Sequence, residues 1–113
     1  MDVQKLLSID ESGAVGEFKR RLMAVFNYQR FILLLWGSRI REECGNDHQI
    51  RLVVIGPEIN RYRKKRILET LVSVEDEFEV FFQVSIFPEE GFEKLKRIER
   101  RLPFDIEREG IPI

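Results

Sequence analysis

Apolar and polar positions alternate with three different rhythms along this chain. Between Ala14 and about Arg30, Val15, Phe18, Leu22, Val25 and Phe26 recur at helical spacing, with Lys19, Arg20 and Arg21 largely off their face. That predicts an amphipathic helix. Ile32 to Trp36 is instead a continuous apolar run closed by Gly37-Ser38, which suits a short strand covered on both faces. Ser38 can cap a short helix over Arg39 to Cys44, which Gly45-Asn46-Asp47 then ends. Gln49 to Ile55, rich in Val and Ile, reads as a second strand.

After the turn at Gly56-Pro57, helical spacing returns. The segment from about Glu58 to Val74 predicts a helix with Ile59, Tyr62, Ile67, Leu68, Leu71 and Val72 inward. Phe78 to Phe87 alternates, with Phe78, Val80, Phe82, Val84 and Ile86 on one side, and predicts a strand. Phe81 and Phe87 fall on its less apolar side; they are expected under a helix, and an exposed pair would mark a partner interface. Pro88 opens a further helix with Glu89 and Glu90 at its positive end. Phe92, Leu95, Ile98 and Leu102 form its buried stripe, Arg100 and Arg101 suit its end, and Pro103 stops it. The tail, Phe104 to Ile113, includes Glu109-Gly110-Ile111. Met1 to Gly13 is weakly patterned; Asp10 to Gly13 reads as a turn, and this end is expected to be partly mobile.

These elements predict an α/β (α+β) fold, a small mixed sheet of three to four strands packed by helices. The 113 residues suffice for one such domain, 1–113, and hardly for two. No apolar run approaches the roughly 20 residues needed to cross a bilayer, so no membrane partner and a cytoplasmic location are expected. One cysteine, Cys44, excludes an internal disulfide framework, and a single His48 beside it disfavours a zinc site. Charged residues make up 35 % of the chain, yet the net charge is −1. Interspersed charge with few Asn, Gln and Cys leans toward a thermophilic source. Near-neutrality argues against nucleic acid as a partner.

The turn Leu35-Trp36-Gly37-Ser38-Arg39, followed by a second apolar strand, resembles the signature of the minimal nucleotidyltransferases, small relatives of DNA polymerase beta and the kanamycin nucleotidyltransferases. The resemblance in element order covers roughly residues 14 to 113, and the Gly-Ser-Arg turn is its motif. It implies a nucleotide site with two carboxylates at alternate positions of the second strand and a third on the next strand. They hold two divalent ions that orient a triphosphate and activate a hydroxyl. Here Gln49 and Arg51 stand at the first two positions, and Gln83, or Phe82 in the other alignment, at the third. Neither a neutral amide nor a guanidinium replaces a carboxylate at Mg²⁺.

The resemblance therefore implies a catalytically degenerate member that binds a nucleotide, a phosphate or a protein partner. Gly37, Ser38 and Arg39 would supply the anion-binding turn, and Gln49, Arg51 and Gln83 would line the pocket. No cofactor is expected. Mg²⁺ and ATP enter only under the alternative, an active transferase using Asp47, Glu42 or Glu79. The resemblance also implies a helical HEPN-type protein as one partner, and the small size of the chain makes a homodimer another candidate. A second alternative is a nucleic-acid-binding module built on the basic run Arg61 to Arg66, where Tyr62 could stack on a base; a solvated helix face is the simpler reading of that run. Cys44 and His48 are four apart, but the helix-breaking residues between them disfavour a nucleophile–base pair.

Overall fold

The computed structural model describes residues 7, 9–36, 50–98 and 101–113. Helix α1 spans Ile9–Val25, strand β1 Ile32–Leu35, strand β2 Ile50–Gly56 and helix α2 Arg61–Phe78. Strand β3 spans Phe82–Pro88, helix α3 Glu89–Ile98, helix α4 Arg101–Glu109 and strand β4 Ile111–Pro112. The sheet has four strands in the order β3-β2-β1-β4. β2 and β3 run parallel, joined through α2, while β1 is antiparallel to both β2 and β4. The expected small mixed α/β fold is therefore present. The expected helix at Arg39 to Cys44 lies outside the described residues.

Helices cover the sheet on both faces. Val15, Phe18, Leu22, Val25 and Phe26 from the α1 region join Ile67, Leu71 and Val74 of α2 against Leu33, Leu35, Leu52, Val54 and Phe82. Leu34, Val53 and Ile55 point to the other face, where Phe92 of α3 and Ile106 of α4 cover them. The β2 run is buried on both faces because its side chains alternate between these two layers.

Several boundaries differ from the sequence expectation. α1 begins at Ile9, so Asp10 to Gly13 lie in helix and not in a mobile turn. Asp10 and Glu11 in its first turn favour that start through the helix dipole. α1 ends at Val25, not near Arg30, because Asn27 and Tyr28 take left-handed backbone angles, with φ of 53° and 62°. α2 starts at Arg61, where Asn60 caps it by accepting from the Arg63 N–H at 2.8 Å. It runs on to Phe78, four residues beyond Val74, and ends on Glu79 with φ 53°. The alternating strand therefore begins at Phe82, not Phe78. Tyr62, Leu68 and Val72, expected inward on α2, are exposed, while Arg63 is buried in their place. Pro103 does not stop the last helix. It sits in the first turn of a separate helix α4, where its missing N–H costs little. Ile98, expected in a buried stripe, is exposed.

Arg63 is buried because its neighbours satisfy it. The guanidinium donates to the Pro57 carbonyl at 2.9 Å and lies 5.2 Å from the centre of the Phe26 ring. α1 and α2 are joined at their rims by Arg21, which donates to Glu17 on its own helix and to Ser73 and Glu77 on α2. Hydrogen bonds from Arg20 first, then Arg21, hold the Glu17 carboxyl down at about 2 against its ordinary 4.5. A depressed carboxyl stabilises the fold above its unfolded value and loses that contribution as it protonates. Stability is thus expected to fall between pH 4.5 and about 2. A Glu17→Gln variant should lack this component. Denaturant midpoints measured against pH should differ most above pH 4.5 and converge near pH 2.

Candidate functional site

Two of the side chains expected from the sequence, Arg51 and Gln83, lie at one end of the sheet. β2 and β3 pair in parallel with Arg51 directly beside Gln83. On the other side of β2, the Trp36 N–H donates to the Arg51 carbonyl at 3.0 Å. Trp36, Arg51 and Gln83 therefore form one row across three strands. Their side chains share a face, because the neighbours Leu35, Leu52 and Phe82 pack into the opposite layer. That face is the one covered by α3 and α4.

The cover is incomplete at this end. Phe87, two residues along from Ser85, is half-buried and meets Phe92 of α3 in a tilted ring contact with centres 5.4 Å apart. Leu102 and Ile106 of α4 pack by Leu34 and Trp36. Gln83 and Ser85 remain exposed, and Arg51 is half-buried with its Nε enclosed. The Trp36 indole N–H is also enclosed and finds no acceptor among the described residues. The row thus carries a guanidinium, an amide and an indole donor, with the buried Leu34 and Val53 next along the same face. Such a set suits an anionic group with a flat apolar neighbour.

Of the six site residues expected, the structure brings Arg51 and Gln83 together. Gly37, Ser38, Arg39 and Gln49 lie outside the described residues, as do Glu42, Cys44, Asp47 and His48. The segment containing them leaves β1 at Trp36 and re-enters at Ile50, the end of the sheet where the row lies. Glu79, an alternative carboxylate, caps the C-terminus of α2 on the edge beyond β3 and is not in this row. Phe82, the other choice for the third position, packs against Phe18 in the opposite layer, so Gln83 is the residue facing the site. Trp36 was not expected as a site residue. Its position one strand over from Arg51 follows from pairing register, which a single sequence does not display.

Among the described residues, no three His, Cys, Asp or Glu side chains group in a way that could hold a metal ion. No described helix is long and apolar enough to cross a membrane. Two concavities lie at the opposite end of the sheet. One is lined by Pro57, Glu58, Asn60 and Pro88 to Glu90, the other by Pro88 to Gly91, Glu93 and Arg97. The first holds Glu58, Glu89 and Glu90 with no base, which disfavours a phosphate, and the second mixes Glu89, Glu90 and Glu93 with Lys94 and Arg97. The basic run Arg61 to Arg66 does not form one surface. Arg63 is buried, Arg66 borders a small cleft with Asn27 and Tyr62, and Arg61, Lys64 and Lys65 face out on another side.

The described residues define a small α/β protein with a mixed four-stranded sheet and a polar row at one sheet end. The chain matches no protein-family profile, no curated protein and no solved structure.

Proposed function

We propose that this protein is a nucleotidyltransferase-like binding subunit that holds a nucleotide or another phosphate at the Trp36–Arg51–Gln83 row without catalysing transfer. The observation that carries the reading is the placement of Arg51. It stands beside the exposed Gln83, at the end of the sheet where β1 ends and β2 begins. A transferase of this kind would need carboxylates in that row to hold its metal ions. Here the central position carries a fixed positive charge, which repels a divalent cation and attracts phosphate oxygens directly. Arg51 would take the phosphate, Gln83 would donate its amide to the ligand, and the Trp36 indole N–H would find its acceptor there. Among the described residues no carboxylate stands in this row, so none there would serve an acceptor hydroxyl as general base or metal ligand.

Calorimetric titration of ATP tests this, once with Mg²⁺ and once with EDTA. Binding is expected to persist in EDTA and to disappear in Arg51→Ala, with Arg51→Lys weakened because lysine cannot form the bidentate pair. Circular dichroism of each variant separates lost binding from lost folding. Binding that requires Mg²⁺ would overturn the reading in favour of an active transferase. No binding in either condition would remove the nucleotide site.

A further inference from the structure

The charges of α2 run against its own dipole. Arg61, Lys64 and Lys65 crowd its first turns, no acid occupies its first turn, no base its last, and Glu75, Asp76 and Glu77 stand near its end. A lone helix prefers the reverse arrangement, with acids at its positive N-terminus and bases at its C-terminus. The outward face of the same helix carries a shallow groove of about 660 Å³ lined by Arg61, Lys64, Lys65, Leu68, Glu69 and Val72. Leu68 and Val72 at its centre are 41 % and 53 % exposed. The face is turned away from α1, whose Arg21 holds α2 by Ser73 and Glu77 on the other side.

We propose that two copies of this chain associate through α2, antiparallel about a two-fold axis between Leu68 and Val72. The stripe is basic, then apolar, then acidic along its length, so it is complementary to itself when reversed. The register that lays Leu68 on the partner's Val72 also sets Arg61 against the partner's Glu79. It brings Lys64 opposite the partner's Asp76 and Lys65 opposite the partner's Glu75. Two-fold symmetry repeats each contact, which is the self-complementarity an isologous interface requires. At about 1.5 Å per residue, the 18 residues of α2 make a contact about 27 Å long. The antiparallel pairing also sets each helix's positive end, with its basic residues, against the partner's negative end and its acids. A nucleic acid would fit this face less well, because Glu69 and Asp76 interrupt the positive charge. This inference does not depend on the nucleotide site, which lies at the end of the sheet.

Sedimentation equilibrium of the whole chain provides the test, with two charge-reversed variants. Arg61→Glu with Lys64→Glu and Lys65→Glu makes both ends of the stripe acidic. Asp76→Lys with Glu79→Lys makes both ends basic. Each change brings the helix charges closer to accord with its dipole, while Lys65→Glu also removes the 3.9 Å Lys65–Glu69 pair, and circular dichroism checks that the fold is kept. The wild type is expected to be dimeric, and each variant alone to associate at least about tenfold more weakly. An equimolar mixture should form a heterodimer, since each acidic end then meets a basic one. Leu68→Asp with Val72→Asp should be monomeric alone and in every mixture. A wild type that stays monomeric, variants that dimerise unchanged, or a mixture that fails to pair would each overturn the proposal.

Discussion

A Phe18→Ala variant is expected to lose about 3–5 kcal/mol of stability. Phe18 is wholly buried, and its ring lies 6.1 Å from that of Phe82, joining α1 to the strand that flanks the candidate site. Removing it takes away the ring's transfer free energy and leaves a cavity between helix and sheet. The cavity closes poorly, because Val15 and Leu22 on either side of it are fixed in the same layer. A domain of this size has about 5–15 kcal/mol in total, so this single change removes a large share of it. The denaturant midpoint should fall with the slope unchanged, which marks lost stability and not a changed unfolded state. A loss below about 1 kcal/mol would mean that the α1 layer repacks freely and that Phe18 is not central to it.

The second large effect arises at Gly56, the last residue of β2. A Cβ there would lie 2.6 Å from Cε1 and 2.9 Å from Cζ of Phe26, and 3.2 Å from Cβ of Phe31. Phe26 cannot swing aside easily. It is fully buried, stacks on Phe31 with centres 4.9 Å apart, and carries the Arg63 guanidinium on its face. β2 cannot shift either, because it is hydrogen-bonded between β1 and β3. Gly56→Ala is therefore expected to cost about 1–3 kcal/mol by overpacking, and Gly56→Val more. Shortening the ring should relieve the clash. In a double-mutant cycle with Phe26→Leu, the pair should be less destabilising than the sum of the singles by about 0.5–3 kcal/mol. Strict additivity would show that the added methyl displaces something other than this ring.

The sheet was the most legible part of the sequence, for a physical reason. A strand buried on both faces must be apolar at nearly every position, and Ile32 to Trp36 and Gln49 to Ile55 announce that directly. The α1 face was equally clear, since all five residues assigned to it are buried. The α2 face was harder. Its apolar and basic residues are interleaved, and the inward stripe of Arg63, Ile67, Leu71 and Val74 includes an arginine that hydropathy places outside. Arg63 is inside because Phe26 and the Pro57 carbonyl are there to receive it, and those lie far away in sequence or in a turn. The strand expected from Phe78 failed for a related reason. Phe78 and Val80 pack on the same core as Phe82 and Val84, so one apolar alternation spans a helix end, a cap and a strand start. Phe81 and Phe87, expected together under a helix, separate, with Phe87 against α3 and Phe81 77 % exposed before β3 begins. At the candidate site, the family resemblance singled out Arg51 and Gln83, while their adjacency to each other and to Trp36 came from pairing register.

Both outer strands of the sheet end in a missing donor. β3, an edge strand, has its first N–H, that of Phe82, taken by the Glu75 carboxylate at 2.9 Å, and its last residue is Pro88. β4, the other edge, is two residues long and one of them is Pro112. An incoming strand would find the terminal donors of β3 engaged or absent, and almost no length on β4 to grip. Edge-to-edge stacking, the route by which small sheet proteins grow into fibres, is thereby disfavoured on both sides. This sheet is a terminated lattice, and growth by adding strands would have to break a capping contact before it could begin.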